Sequence, residues 1–270
     1  MDRLILISII LSGILCVLRG LDLAFFTDVA TGLPLMGSVW LRYGALAVVT
    51  LAAVLAGRKL PDGDGVRRQS TPAGFAAAGA AACFVLAGVT RLLFGLDGIG
   101  AAVRALLELF CWVWMSLLAR NWFRKGPWHR PTRSLYPAVA GSVLFYWCVL
   151  ARFMENSSSW HRVAPTAAVW QMLAAVVFLA SLARTLYLPE NTNARMLGSA
   201  GLSTFALCLC WQLPQSLSLL ANGLQIRQLP ELLFGLGVCC MGALGGICVL
   251  NCVRKTQRRT EQDSGRHSLG

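Results

Sequence analysis

Apolar residues in this chain come in long blocks rather than in the short alternations of a soluble fold. Eight such blocks stand between polar connectors rich in Gly and Pro. They run Leu4–Leu23, Leu35–Ala56, Ala73–Phe94, Ile99–Leu118, Leu135–Phe153, Val163–Leu188, Met196–Leu220 and Glu231–Val253. An apolar run of about 20 residues is the length of a helix that crosses a bilayer. A helix is also the form that satisfies its own backbone in lipid. The pattern therefore predicts an all-α fold, a polytopic integral membrane bundle of about eight transmembrane helices over residues 1–253. The polar segment 254–270, "RKTQRRTEQDSGRHSLG", is expected to be a disordered basic tail. The first block follows Arg3 like the core of a signal peptide. No small-x-small cleavage site precedes "RGLD", so it is expected to stay as the first helix.

Two connectors, "GRKLPDGDGVRRQSTP" and "ARNWFRKGPWHRPTRS", are polar and basic, and the second carries the tryptophans typical of an interface. The third connector, "FGLDGIG", is too short to be more than a turn, with Asp97 placed to cap the fourth helix. The third block contains "AGFAAAGAAACFVLAG", and the eighth carries Gly242 and Gly246 in G-x-x-x-G spacing. Small side chains let helices approach closely in lipid, so both blocks are expected at the centre of the bundle. The alternative use of the glycines is a homodimer face or the docking of a partner protein.

Charge decides orientation. The chain is 56% hydrophobic and 13% charged, with a net charge of +12. Seventeen of the 24 Lys and Arg, but only six of the 12 acids, fall in the segments that an eight-span topology places beside the termini. That is a positive-inside signature. It puts both termini in the cytoplasm and makes anionic lipid headgroups the partners of the basic loops, with no nucleic acid involved. Arg outnumbers Lys by 21 to 3, and Ala and Gly are abundant. That usage points to a bacterial plasma membrane.

Charges inside the blocks point to a site. Arg104 and Glu108 lie about 8 Å and 14 Å into the fourth helix, on one face and able to pair. A charge near the bilayer centre costs roughly 2.5–3.5 kcal/mol on insertion scales, so the fold has to offset it. Other blocks bring polar groups to the same half. The second carries Arg42, expected about 10 Å deep, and the third carries Arg91 near its end. The sixth carries Gln171, the seventh has Gln212 and Gln215 around Pro214, and the first ends with Arg19 and Asp22 in i,i+3 spacing. Pro214 cannot donate a backbone hydrogen bond, which frees the carbonyl of Cys210. Broken helices recur at transport sites. The cytoplasmic halves contain almost no ionisable residue. These residues predict a cationic pocket in the outer half, with Arg42, Arg104, Arg91, Gln171, Gln212 and Gln215 around a floor at Glu108. The competing expectation is a structural ion pair between Arg104 and Glu108, with Arg19, Arg91 and Arg152 reaching to the interface.

Catalytic chemistry finds no support. His129, His161 and His267 lie outside the blocks, as do Lys59, Lys125 and Lys255, so neither axial haem ligands nor a retinal Schiff base is supplied. No H-E-x-x-H, G-x-S-x-G or P-loop is present. The ten cysteines show no C-x-x-C or Cys/His metal spacing and read as small packing residues. No catalytic residue, metal or cofactor is therefore expected. The expected function is that of a permease or solute-binding protein for a small anionic or zwitterionic ligand, with Glu108 fixing Arg104 or coupling to protons. The alternative is a sensory or accessory membrane subunit without a substrate of its own.

Overall fold

In the computed structural model the described residues are 3–28, 33, 35–60, 64–94, 98–125, 129–154, 163–188 and 193–267, with side chains as far as Arg254. Asp97, and with it the proposed cap, lies outside them. The described secondary structure is helical, with no strand. The helices are α1 (Arg3–Leu21), α2 (Val39–Gly57), α3 (Thr71–Phe94), α4 (Ile99–Phe123), α5 (Tyr136–Met154), α6 (Val163–Tyr187), α7 (Ala194–Thr204), α8 (Gln212–Ala221) and α9 (Leu229–His267). A wider π turn, Asp22–Phe26, extends α1, and another, Phe205–Trp211, joins α7 to α8. Eight of the resulting continuous helices are long and apolar enough to cross a membrane. The chain is a polytopic membrane protein.

Side-chain periodicity explains how each helix sits. In α1 the buried positions are Ile5, Ser8, Ser12, Leu15 and Arg19, a single stripe at helical spacing. Leu4, Ile7, Ile10, Ile14, Val17 and Leu18 on the other faces are exposed and apolar. Such a surface suits hydrocarbon and is too extensive for water. α3 and α9 lie at the centre, as their small residues predict. Ala73, Ala77, Ala80 and Ala81 of α3 are buried against α4 and α9. Phe84 ties three helices together, with ring centroids 6.0 Å from Phe145 and 5.9 Å from Phe234.

The glycines of α9 are used inside the chain. A Cβ at Gly245 would stand 2.7 Å from the Gly201 carbonyl oxygen of α7, and one at Gly242 would stand 2.4 Å from the Leu209 nitrogen. A Cβ at Gly246 would stand 2.7 Å from the Phe205 ring, so the G-x-x-x-G pair packs on the π turn, while Gly245 packs on α7.

Helix ends alternate between two ends of the bundle. At the basic end the connector after α2 is stitched across the helices. Trp122 donates to the Val66 carbonyl at 3.0 Å, Arg67 Nε to the Thr185 carbonyl at 2.9 Å, and Asn251 to the Ser70 hydroxyl at 2.9 Å. α9 continues past Val253 to His267, where the sequence pattern predicts a disordered tail. Helical geometry there needs only local backbone hydrogen bonds, which a polar sequence can also make.

Two boundaries bear on the site. α4 begins at Ile99, as predicted, so Arg104 and Glu108 keep their depths. α2 begins at Val39 and not at Leu35, with Ser38 accepting from the Trp40 amide at 3.2 Å as its cap. Arg42 therefore sits in the first turn, about 4.5 Å in rather than 10 Å.

Candidate functional site

At the end opposite the basic connectors, the end of α3 at Phe94 and the start of α4 at Ile99 lie side by side as a helical hairpin. The hairpin places Arg91 beside Glu108. Arg91 Nη2 donates to Glu108 Oε1 at 3.0 Å, and its Nε lies 3.3 Å from both carboxylate oxygens. Arg104, one turn before Glu108 on α4, brings its Nε to 3.3 Å from the same carboxylate. The i,i+4 pair read from the sequence is present, but it is part of a larger set.

The fourth member is Glu231, in the first turn of α9. Arg104 Nη1 and Nη2 donate to Glu231 Oε1 and Oε2 at 3.0 and 2.9 Å, a two-toothed fork. Arg91 Nη1 reaches Glu231 Oε1 at 2.9 Å. Phe234, one turn further along α9, lies under the Arg104 guanidinium, 4.5 Å from ring centroid to Cζ. Two arginines thus alternate with two carboxylates and their charges cancel. Exposure rises along the set, from 0% for the Glu108 side chain through 21% for Arg104 to 48% for Glu231. Glu108 is the dry floor and Glu231 the mouth. The predicted cationic character does not hold for this cluster, because Glu231 neutralises it. A Glu in the first turn of a helix reads from sequence as a partner of the helix dipole, which concealed this role.

Arg104 and Glu231 line a cavity of about 360 Å³, together with Gln171, Gln212, Gln215 and Arg152. That is within the size range of small-molecule sites. A second cavity of about 300 Å³ shares Ala164, Gln215 and Leu219 with it and is edged by Ser218, Asn222, Gln225 and Gln228. The two cavities adjoin at these three residues, the second lying on the side of the loop after α8 and the first holding the Arg104–Glu231 pair.

The far wall is the broken seventh span. Pro214 removes a donor from the helix, and the turns just before it widen into the π segment. Gln171 of α6, only 2% exposed, repairs part of this break. Its Nε2 donates to the Leu207 carbonyl at 2.9 Å and to Gln212 Oε1 at 3.1 Å. Gly235 leaves the space that Gln212 uses, since a Cβ there would stand 2.8 Å from Gln212 Nε2 and 2.9 Å from Ser216 Oγ.

Arg42 is elsewhere. It lines a different cavity, at the seam of α1 and α2, and pairs with Asp22. Arg91 and Glu108 support the cavity wall from behind without lining it. Of the residues singled out from the sequence, Arg104, Gln171, Gln212 and Gln215 converge on one hollow. Among the described residues no three His, Cys, Asp or Glu side chains gather as a metal-binding set.

Comparison with protein-family models, with curated proteins and with solved structures finds no match to this chain.

Proposed function

We propose that the chain is a permease-type or solute-binding membrane protein whose cavity takes a small zwitterionic or anionic solute. The observation that supports this reading is the Arg104–Glu231 fork in the wall of a cavity that adjoins a second one beside the loop after α8. A ligand carboxylate would replace Glu231 on the Arg104 fork, since guanidinium and carboxylate match two hydrogen bonds to two. Glu231, half-exposed at the mouth, would then accept from the ligand's ammonium group. Charge balance at the fork favours a zwitterion, because such a solute swaps one pair for another there and leaves neither Arg104 nor Glu231 unpaired. Gln212 and Gln215 offer neutral hydrogen-bonding groups to the rest of the solute.

Glu108 and Arg91 are positioning residues in this reading. The buried carboxylate holds Arg104 from below while the upper face of the guanidinium exchanges partners. The broken span beside the cavity supplies an element that can rearrange, as transport requires. The basic end is assigned to the cytoplasm on the charge distribution, which makes the cavity open to the opposite side.

The test is binding of a panel of neutral amino acids, simple carboxylates and simple amines to the purified chain, followed by thermal shift. The expected result is stabilisation by at least one zwitterion and its loss in Arg104→Gln, with the variant still folded. If no member of the panel shifts the wild-type chain while a stoichiometric partner protein co-purifies, the accessory-subunit reading replaces this one.

A further inference from the structure

The second charged cluster lies at the α1–α2 seam, outside the Arg104–Glu231 cavity, although its Arg19 also edges the neighbouring cavity of about 300 Å³. Asp22, in the π turn that ends α1, accepts from Arg42 Nε and Nη2 at 2.9 and 2.5 Å and from Arg19 Nη1 at 2.5 Å. Arg42 Nη2 also lies 3.2 and 3.3 Å from the Phe26 and Met36 carbonyls, which fastens the connector between α1 and α2. The Arg19 guanidinium sits over the Trp211 ring at 4.4 Å. Two arginines share one carboxylate, so the cluster carries a net charge of +1. Its donors also exceed its acceptors among the described residues, where Arg42 Nη1 and Arg19 Nε have no hydrogen-bond partner.

These groups close one end of an otherwise apolar groove of about 630 Å³, walled by Leu15, Leu18, Leu41 and Ala45. Leu18 and Leu41 are 54% and 75% exposed, so the groove opens outward, where the neighbour is lipid. The charges lie at the ends of two spans, the height at which a bilayer places its phosphates. At that height a guanidinium with spare donors finds lipid phosphate oxygens as acceptors.

We propose that this groove is a binding site for one anionic diacyl phospholipid, its phosphodiester on Arg42 and Arg19 and an acyl chain along the α1–α2 seam. A monoanionic headgroup without an ammonium matches the excess charge, whereas a zwitterionic headgroup does not. The site lies at the end of the bundle opposite the basic connectors and does not depend on the solute reading.

The experiment is native mass spectrometry of the delipidated full chain, titrated with dioleoylphosphatidylglycerol, dioleoylphosphatidylcholine or dioleoylglycerol. The expected result is one tightly retained phosphatidylglycerol per chain, bound at least about tenfold more tightly than either of the others. Arg42→Gln is expected to abolish the preference, and Arg227→Gln, an exposed arginine elsewhere at the same end, to keep it. Ala45→Phe fills the groove while leaving the charges intact, and it is expected to lose retention even if Arg42→Gln fails to fold. Equal retention of the three lipids by the wild-type chain, or undiminished retention by both Arg42→Gln and Ala45→Phe, would overturn the proposal.

Discussion

Arg104 of α4 and Glu231 of α9 are 127 residues apart in sequence and meet as a parallel pair of hydrogen bonds, 3.0 and 2.9 Å long. One face of the pair borders the cavity and the other rests on a dry carboxylate. A pair so placed can change partners at its wet face while its back stays fixed.

Exchanging the two charges separates fold from binding. Arg104→Glu combined with Glu231→Arg restores the net charge and is expected to recover part of the thermal stability that either single change loses, the rest being lost to like charges against Glu108 and Arg91. It is not expected to recover solute binding, because the ligand's charges then meet the wrong ends. Unfolding in detergent and a ligand-shift assay on the same preparations check both halves.

Removing the floor should cost more than removing the mouth. Glu108 has a fully buried side chain flanked by two guanidinium groups, and breaking a buried ion pair costs about 3–5 kcal/mol. Glu231 is half-exposed, so water screens the arginines it leaves behind. Glu108→Ala is therefore expected to lower the unfolding midpoint markedly more than Glu231→Ala. Chemical-denaturant titration of the detergent-solubilised chain measures the order, and the reverse order would contradict the burial gradient.

Gln171 supports a helix that cannot support itself. Gln171→Leu leaves the Leu207 carbonyl without its side-chain donor and Gln212 without one of its partners. A buried acceptor left unsatisfied costs about 1–3 kcal/mol. Stability is expected to fall by that order, with faster hydrogen exchange over 205–212 than in the wild-type chain. Exchange mass spectrometry localises the change.

The α7–α9 contact has no room for a side chain. Gly245→Val places a branched Cβ 2.7 Å from the Gly201 carbonyl oxygen, closer than backbone contact allows, so the two helices must part. Overpacking of this kind costs about 1–3 kcal/mol. A lower unfolding midpoint and disturbed near-ultraviolet dichroism from the neighbouring span are the expected readouts. A neutral effect would mean that the glycines are not needed for this contact.

Labelling tests the orientation. A single reactive cysteine at exposed Arg133, in the connector before α5, is expected to be protected from a membrane-impermeant reagent in intact cells. One at exposed Asn222, after α8, is expected to react. The opposite pattern would invert the assignment of the basic end to the cytoplasm.

Several features were legible one helix at a time. Block length set the number of spans, small residues marked α3 and α9 as central, and the register along α4 gave the depths of Arg104 and Glu108. Those are properties of a helix axis, and a helix in lipid is a local object that satisfies its own backbone. The amide of Gln171 and the break at Pro214 were also visible in this way. What could not be read was azimuth, the direction in which each helix turns its polar face. Arg42 shares a sign and roughly a height with Arg104, yet it faces another seam, because Asp22 at the end of α1 holds it there. No role for Glu231 was legible in the sequence, and only the docking of α9 against α3 and α4 makes it the partner of two arginines. The sequence by itself determined an eight-span membrane protein with costly charges in one half. The tertiary structure decided which of those charges cancel and which hollow they border, because that depends on the rotation of each helix against its neighbours, and close packing in lipid settles it.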